Sequence, residues 1–147
     1  MSSDDLRTLY QEIILDQART PYGRGITEGW SARVHEVNPV CGDEIDLAPT
    51  LAGDTIATVR WEGHGCAISQ ASASLLAGLV EGTQVDDTRQ LIEEFRTALR
   101  SRGAVELDEE RFGEAVALGG VARYVARVKC AMLAWVALDH ALDAAAV

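Results

Sequence analysis

Residues 44–61, with the sequence EIDLAPTLAGDTIATVRW, decide the fold of this chain. The two halves of this stretch are rich in residues that favour strands, and Gly53-Asp54 separates them as a tight hairpin turn requires. We therefore predict two antiparallel strands, over 44–51 and 55–61. A third strand is predicted over 32–37, where apolar and polar residues alternate.

Helical patterns lie on both sides of these strands. Leu6, Tyr10 and Ile13 recur at helical spacing and predict an amphipathic first helix over 6–18. The order of one helix, three strands and then helices indicates an α+β fold with a three-stranded antiparallel sheet packed by helices, formed as a single domain over 1–147. Further helices are predicted over 69–80, 86–100 and 126–144, with a loop or short helical turns over 101–120.

Composition and charge exclude several classes of function. The 147 residues suit one domain with a sizeable core, and 48% of them are hydrophobic, as in ordinary globular proteins. No apolar run reaches the roughly 18 residues that span a bilayer, and the first residues are too polar for a signal peptide. The formal net charge of −10 argues against nucleic acid and anionic membranes as partners, and it permits a basic protein partner. We therefore predict a cytoplasmic protein.

The chain contains three cysteines, which cannot all pair within one molecule. Cys41 lies in the predicted loop between the first two strands, Cys66 at the start of a helix, and Cys130 in the first turn or so of the last helix. Helix N-termini lower the pKa of a thiol, and the thiolate is the form that binds metal or attacks sulfur. A shared metal site, separate nucleophiles and buried core thiols all remain open at this point.

Two neighbouring residues are further candidate ligands. Asp43 follows Cys41 by two residues, and a carboxylate oxygen also binds zinc, although an aspartate here also suits a turn cap. His64 precedes Cys66 by two residues, a position that also allows it to be a ligand. The intervals between the cysteines match no zinc-finger pattern, so spacing alone does not establish a site. His35 and His140 are expected at the surface.

Four motifs carry a family resemblance: LYQEIILD at 9–16, NPVCGD at 38–43, GHGCAISQASAS at 63–74 and ARVKCAMLAW at 126–135. Together they resemble the SufU branch of the IscU/NifU-type iron–sulfur cluster assembly proteins, over about residues 6–140. IscU scaffolds have a histidine directly before the last cysteine, where this chain has Lys129, and an L-P-P-V-K motif that is absent here. The extra sequence at 101–120 is also similar to SufU proteins.

The resemblance implies an IscU-like fold and one metal site. Its ligands would be Cys41, Asp43, Cys66 and Cys130, holding zinc or, in the alternative, iron or a 2Fe-2S cluster. Three thiolates and one carboxylate exceed the charge of a divalent cation by two. Two basic residues beside Cys130 are candidates to offset this excess, although each also suits an ordinary solvated face; they are Arg127 and Lys129.

The function that the resemblance implies is zinc-dependent sulfur transfer. A SufS-type cysteine desulfurase would carry a persulfide, and Cys41 would act as the catalytic acceptor of its sulfur once a desulfurase histidine replaces Cys41 on zinc. Downstream iron–sulfur assembly proteins would then receive the sulfur. Two alternatives stay open: a scaffold that assembles a 2Fe-2S cluster on the same cysteines, and a structural zinc domain that serves only as an adaptor.

Overall fold

The computed structural model describes residues 3–146. The expected α+β architecture, with the N-terminal helix first and a three-stranded antiparallel sheet packed by helices, is confirmed. In chain order the elements are α1 (Ser3–Arg19), β1 (Val34–Asn38), β2 (Asp43–Ala52), β3 (Thr55–His64), α2 (Ala67–Val80), α3 (Val85–Arg100), the short α4 (Glu109–Phe112), a 3₁₀ segment (Gly113–Arg123) and α5 (Val125–Ala145).

The sheet has the strand order β1-β2-β3, and both pairs are antiparallel. The predicted hairpin turn is present, with Gly53 at a φ of 62°, a conformation that glycine adopts without strain. β3 continues three residues beyond the predicted end at Trp61, because Glu62, Gly63 and His64 keep pairing with β2. The loops that follow β1 and β3 therefore meet at the same end of the sheet.

The helices begin and end within a few residues of the predicted bounds. The region 101–120 contains α4 and most of the 3₁₀ segment, as the prediction of short helical turns implied. α5 is the longest helix, and it packs against the sheet, α2 and α3. Within residues 3–146, no helix combines the length and the apolar character that crossing a membrane requires.

The hydrophobic core lies between the sheet and the helices α2, α3 and α5. Trp61 of β3 is almost fully buried, as are Phe95 of α3 and Trp135 of α5. The rings of Phe95 and Trp135 stack with their centroids 3.8 Å apart and nearly parallel planes. Burial of aromatic rings of this size dominates core energetics, so this stack fixes α3 against α5.

One buried hydroxyl joins the two helices that carry cysteines. Ser72 of α2 donates from Oγ to the carbonyl oxygen of Ala131 at 2.6 Å, and its Oγ accepts from Nε1 of Trp135 at 2.9 Å. Ser72 and both of its partners are fully inaccessible to solvent. α2 begins directly after Cys66, and α5 contains Cys130. The two hydrogen bonds of Ser72 therefore set the separation of the two cysteines.

We predict that Ser72→Ala lowers the free energy of unfolding by about 1–3 kcal/mol, because the Trp135 indole N–H would be left buried without an acceptor. Urea unfolding at one fixed zinc concentration measures the change. Thr8→Ala is the matched control, since this hydroxyl also bonds to a helix carbonyl but lies at the surface. Its change should stay within about 0.5 kcal/mol. Equal effects of the two substitutions would show that the buried hydrogen bonds of Ser72 do not stabilise the packing of α2 on α5.

Candidate metal centre

Cys41 lies in a four-residue loop between β1 and β2. Asn38, the last residue of β1, organises this loop: its carbonyl accepts from the Gly42 amide at 2.8 Å, and its Oδ1 accepts from the Val40 amide at 3.2 Å. Gly42 has a φ of 74°, which residues with side chains rarely adopt. The loop therefore turns tightly and presents Cys41 to solvent.

Cys66 lies in a second loop, between β3 and α2, and it is the N-cap residue of α2. Two glycines before it are required by close approach. A Cβ at Gly63 would lie 2.2 Å from the carbonyl oxygen of Glu44, and a Cβ at Gly65 would lie 2.6 Å from Oδ1 of Asp43. The glycines of this motif thus allow the loop backbone to press against the start of β2.

The structure brings three of the four predicted ligands within reach of one ion and places the fourth, Cys66, beside them. The ligand atoms of Cys41, Asp43 and Cys130 lie within 4.8 Å of one another, with the sulfur atoms of Cys41 and Cys130 3.5 Å apart. Cys66 adjoins this group through Asp43: its Sγ lies 3.5 Å from Oδ2, and its backbone amide donates to Oδ1 at 3.1 Å. We call these four residues the thiol–carboxylate cluster.

Exposure divides the cluster into two halves. Cys41 and Cys66 are exposed, whereas Asp43 is only 3% exposed and Cys130 only 6%. The buried half lies on regular structure, since Asp43 begins β2 and Cys130 belongs to α5. Of the two exposed thiols, Cys66 is the N-cap residue of α2 and its amide is bonded to Asp43, whereas Cys41 lies within a surface turn, so Cys41 is the thiol best placed to move.

The buried members have shifted pKa values. Burial by itself raises the pKa of Asp43, but hydrogen bonds from Cys41, Cys130 and Cys66 outweigh it and hold the pKa below its usual range. Burial raises the pKa of the Cys130 thiol, and the hydrogen bonds with Cys41, Asp43 and Cys66 raise it further. The expectation that a helix start lowers the pKa of Cys130 is therefore wrong: Cys130 lies in the second turn of α5, away from the helix start.

The donor set fits a zinc ion. Three thiols and one carboxylate are ligand types that zinc takes in tetrahedral sites. Among the ion pairs of residues 3–146, none supplies a basic side chain to Asp43, so a cation would meet an uncompensated buried carboxylate. Such a cation would also offset the cost of ionising Cys130.

The two basic residues beside Cys130 are both exposed. The Arg127 guanidinium lies over the ring of Tyr124, 5.4 Å from its centroid. Lys129 forms no ion pair within the described part of the chain. Their supporting role at the site stays a prediction.

The histidines lie outside the thiol–carboxylate cluster. His64 has its Nε2 3.4 Å from a carboxylate oxygen of Glu44 and is largely exposed. His35 pairs with Asp46 of β2, which raises the pKa of His35 through a direct hydrogen bond. His140 of α5 pairs with a carboxylate of β1, that of Glu36. Each of the three therefore has a carboxylate partner on the sheet.

Sequence reasoning missed the polar residues that support the second loop. Gln70 of α2 donates from Nε2 to the carbonyl oxygen of Gly65 at 3.0 Å, and Ser69 donates from Oγ to the carbonyl oxygen of Cys66 at 3.0 Å. Arg24, in the segment between α1 and β1, donates to Gln70 of α2 and to the carbonyl oxygen of Gly63 in β3, on either side of this loop. Of these residues, only Ser69 and Gln70 could have been recognised from the sequence as neighbours of the site, because they occupy the first turn of a helix that begins after a cysteine.

The fold and the cluster together define a class of protein: a small α+β domain with a cysteine-rich candidate metal site at one end of an antiparallel sheet. The chain belongs to the family of NifU-like N-terminal domains, whose model matches residues 9–142. The resemblance to the SufU branch of the IscU/NifU-type assembly proteins is confirmed, and iron–sulfur cluster assembly is the process in which such proteins act.

Two curated relatives are similar over nearly the whole chain. The zinc-dependent sulfurtransferase SufU of Bacillus subtilis is 35% identical, over 92% of this chain and 90% of its own. The iron–sulfur cluster assembly scaffold protein IscU of Streptococcus pyogenes is 34% identical, over 99% of this chain and 90% of its own. The two names correspond to two of the functions that the sequence left open, zinc-dependent sulfur transfer and scaffolding of a 2Fe-2S cluster.

Solved structures share the fold. A putative iron–sulfur cluster assembly scaffold protein for the SUF system from Fervidobacterium islandicum superposes with a TM-score of 0.75 at 33% identity, covering 92% of this chain and 98% of that one. The N-terminal part of a NifU-like protein from Brucella abortus superposes with a TM-score of 0.82 at 22% identity, covering 94% of each chain. The second likeness bears on the fold alone.

We predict that Gly65→Ala weakens zinc binding by about tenfold or more, which corresponds to about 1.4 kcal/mol, because the new methyl group would displace the Asp43 carboxylate. Competition with a chromophoric chelator measures the affinity. Gly120→Ala is the matched control, because a Cβ at Gly120 meets no atom within 4 Å. Equal zinc affinity of the two variants would show that the carboxylate does not need its present position.

Proposed function

We propose that this protein is a zinc-dependent sulfur acceptor of iron–sulfur cluster assembly, which takes persulfide sulfur from a SufS-type cysteine desulfurase onto Cys41. One observation carries the proposal: an exposed loop thiol, Cys41, lies 3.5 Å from a buried thiol, Cys130, within a group of residues that could hold a metal ion. The zinc-dependent sulfurtransferase SufU of Bacillus subtilis, 35% identical, supports the same activity.

Zinc would be held by Cys41, Asp43, Cys66 and Cys130, and when bound it would stabilise their thiolate and carboxylate forms near neutral pH. The three ligands other than Cys41 sit at the start of β2, at the N-cap of α2 and within α5. They can therefore keep their positions while the Cys41 loop moves. This division leaves one thiol for chemistry and three groups for the metal.

The transfer step is a thiol–persulfide exchange. The Cys41 thiolate attacks the outer sulfur of the donor persulfide, and a new S–S bond forms as the S–S bond of the donor breaks. The electron pair of the broken bond leaves with the donor cysteine as its thiolate, and Cys41 then carries the persulfide. No oxidant or reductant is needed, because one persulfide and one thiolate give one persulfide and one thiolate.

The surface beside the cluster suits a protein partner. Val40 next to Cys41 is 73% exposed, and Val125, which precedes the Ala126 carbonyl that contacts the Cys130 sulfur, is 64% exposed. Apolar and aromatic side chains are typical of the centre of protein–protein contacts. A desulfurase that docks here would bring its persulfide to the exposed half of the cluster. Downstream iron–sulfur assembly proteins would use the same face after the desulfurase leaves.

A second candidate function uses the same residues. The Streptococcus pyogenes relative and one from Thermotoga maritima, 35% identical, are both named as iron–sulfur cluster assembly scaffold proteins IscU. Three cysteines and one aspartate can also hold a 2Fe-2S cluster, since thiolates are its usual ligands. The metal that is bound at full occupancy separates this scaffold from a zinc-dependent acceptor. A structural zinc adaptor would bind zinc without taking up sulfur.

We expect about one zinc per chain in protein purified without chelator, by the four-ligand rule for tetrahedral zinc. Cys66→Ala and Cys130→Ala should lose the metal, because each removes a thiolate ligand that the α2 N-cap or α5 holds in place. Asp43→Ala should keep zinc but exchange it faster, because three thiolates remain. Elemental analysis and isotope exchange measure both properties. A stable iron–sulfur chromophore in place of zinc would favour the scaffold, and equal retention in all three variants would overturn the ligand assignment.

Cys41→Ser should bind a SufS-type desulfurase but fail to accelerate its turnover, because the hydroxyl keeps the side-chain shape and lacks a nucleophilic sulfur. Sulfide release measures turnover, and mass spectrometry of the parent protein should find one added sulfur on the peptide that contains Cys41. Val37→Ala on the neighbouring strand is a control that leaves every thiol in place. Full stimulation by Cys41→Ser would show that another group accepts the sulfur.

A further inference from the structure

The peptide unit between Gly65 and Cys66 is held at both ends. Its N–H, from Cys66, donates to Oδ1 of Asp43 at 3.1 Å. Its carbonyl oxygen, from Gly65, accepts from Nε2 of Gln70 at 3.0 Å. Because a peptide unit is planar and rigid, a side chain that fixes the carbonyl also fixes the direction of the N–H. Gln70 therefore sets the direction in which the Cys66 amide points.

This peptide unit selects which oxygen of Asp43 is left for a metal. Oδ1 is occupied by the Cys66 amide, and Oδ2 is the oxygen that lies 3.5 Å from the Cys66 sulfur. The carboxylate has little room to turn, because the position of a Cβ on Gly65 lies only 2.6 Å from Oδ1 and 2.7 Å from Cγ. A rotation of the peptide plane would release Oδ1 and let the carboxylate reorient.

Gln70 is itself oriented by Arg24. The Arg24 guanidinium donates from Nη1 to Oε1 of Gln70 at 3.4 Å and from Nη2 to the carbonyl oxygen of Gly63 at 3.3 Å. It lies over the ring of Trp61, 5.7 Å from the centroid. This contact fixes which end of the Gln70 amide is the acceptor, so its NH₂ group faces Gly65. The backbone beside Arg24 is anchored too, since the Gly25 amide donates to the carbonyl oxygen of Trp61 at 2.7 Å.

We propose that Gln70 is a positioning residue of the metal site: by holding the Gly65–Cys66 peptide plane, it directs one oxygen of Asp43 toward the metal and slows metal release. This inference rests on the proposed function in one respect, that zinc is the ion concerned. Groups that hydrogen-bond to a metal ligand without binding the metal typically lower metal affinity by about 10–100-fold when they are removed. The chain thus has, in Gln70, a determinant of metal retention that touches no ligand side chain.

Two substitutions separate the parts of the contact. Gln70→Met keeps the length of the side chain and removes both the donor and the acceptor. Gln70→Glu keeps the acceptor for Arg24 and removes the donor to Gly65. If the hold on the peptide plane is what matters, both variants should behave alike. Gln90→Glu, an exposed glutamine on α3, is the matched control for the change of charge.

The first readout needs no metal. Hydrogen exchange of the Cys66 amide should be roughly tenfold faster in both Gln70 variants and unchanged in Gln90→Glu, as expected when an ordinary hydrogen bond stops restraining the peptide. The second readout is zinc release to a chelator, which should be at least about tenfold faster, together with a changed cobalt(II) absorption spectrum. A Gln70→Met protein with lower stability but unchanged amide exchange and metal release would overturn the proposal.

The two proposals fail in different ways. If the parent protein takes up no zinc, the zinc-dependent function fails, and the amide exchange of the same samples still decides whether Gln70 holds the peptide plane. If zinc binds and Gln70→Glu releases it as slowly as the parent protein does, the positioning role fails and the sulfur-acceptor function stands. Arg24→Gln gives an independent check, since it should speed amide exchange in the same direction while Gln70 is still present.

Discussion

The hydrogen bond between the Cys66 amide and the Asp43 carboxylate is the contact on which the rest of the site depends. It joins Asp43, the first residue of β2, to Cys66, the N-cap residue of α2. The bond therefore connects the sheet to the helices at the residues where β2 and α2 begin. The two glycines before Cys66 make this approach sterically possible. The Asp43 carboxylate can stay ionised although it is buried, because it accepts hydrogen bonds from three cysteines.

A second constraint acts from the other side of the core. Ser72 ties α2 to α5, and the stack of Phe95 on Trp135 ties α5 to α3. α5 is therefore held along its length before it presents Cys130 to the cluster. The backbone of the loop that carries Cys41 is held by the local bonds of Asn38, so the four candidate ligands differ in how firmly the fold holds them. The proposed division, with one sulfur-accepting thiol and three metal-retaining groups, rests on this difference in support.

The sequence predicted the strands well, because alternation and the Gly53-Asp54 turn are local signals. For the cluster, the residue patterns alone left several roles for the cysteines open, and the resemblance to a known family supplied the ligand set. It placed Cys130 too near the helix start, since α5 begins at Val125 and the pKa of a thiol depends on burial that no local pattern shows. Gln70 was missed for a related reason. Its role arises from a carbonyl five residues earlier and from Arg24, which is distant in sequence.

The antiparallel register of the sheet gives the cluster one more property. Asn38 pairs with Asp43 and Glu44 pairs with His64, so the two loops meet only when each strand is in its native alignment. A slip of one residue would turn every side chain of β2 to the opposite face and carry the carboxylate away from the thiols. A chain folded with the wrong strand alignment would thus lack a complete set of donors. The donor set therefore depends on the strand register, because only the native alignment brings the Asp43 carboxylate to the thiols.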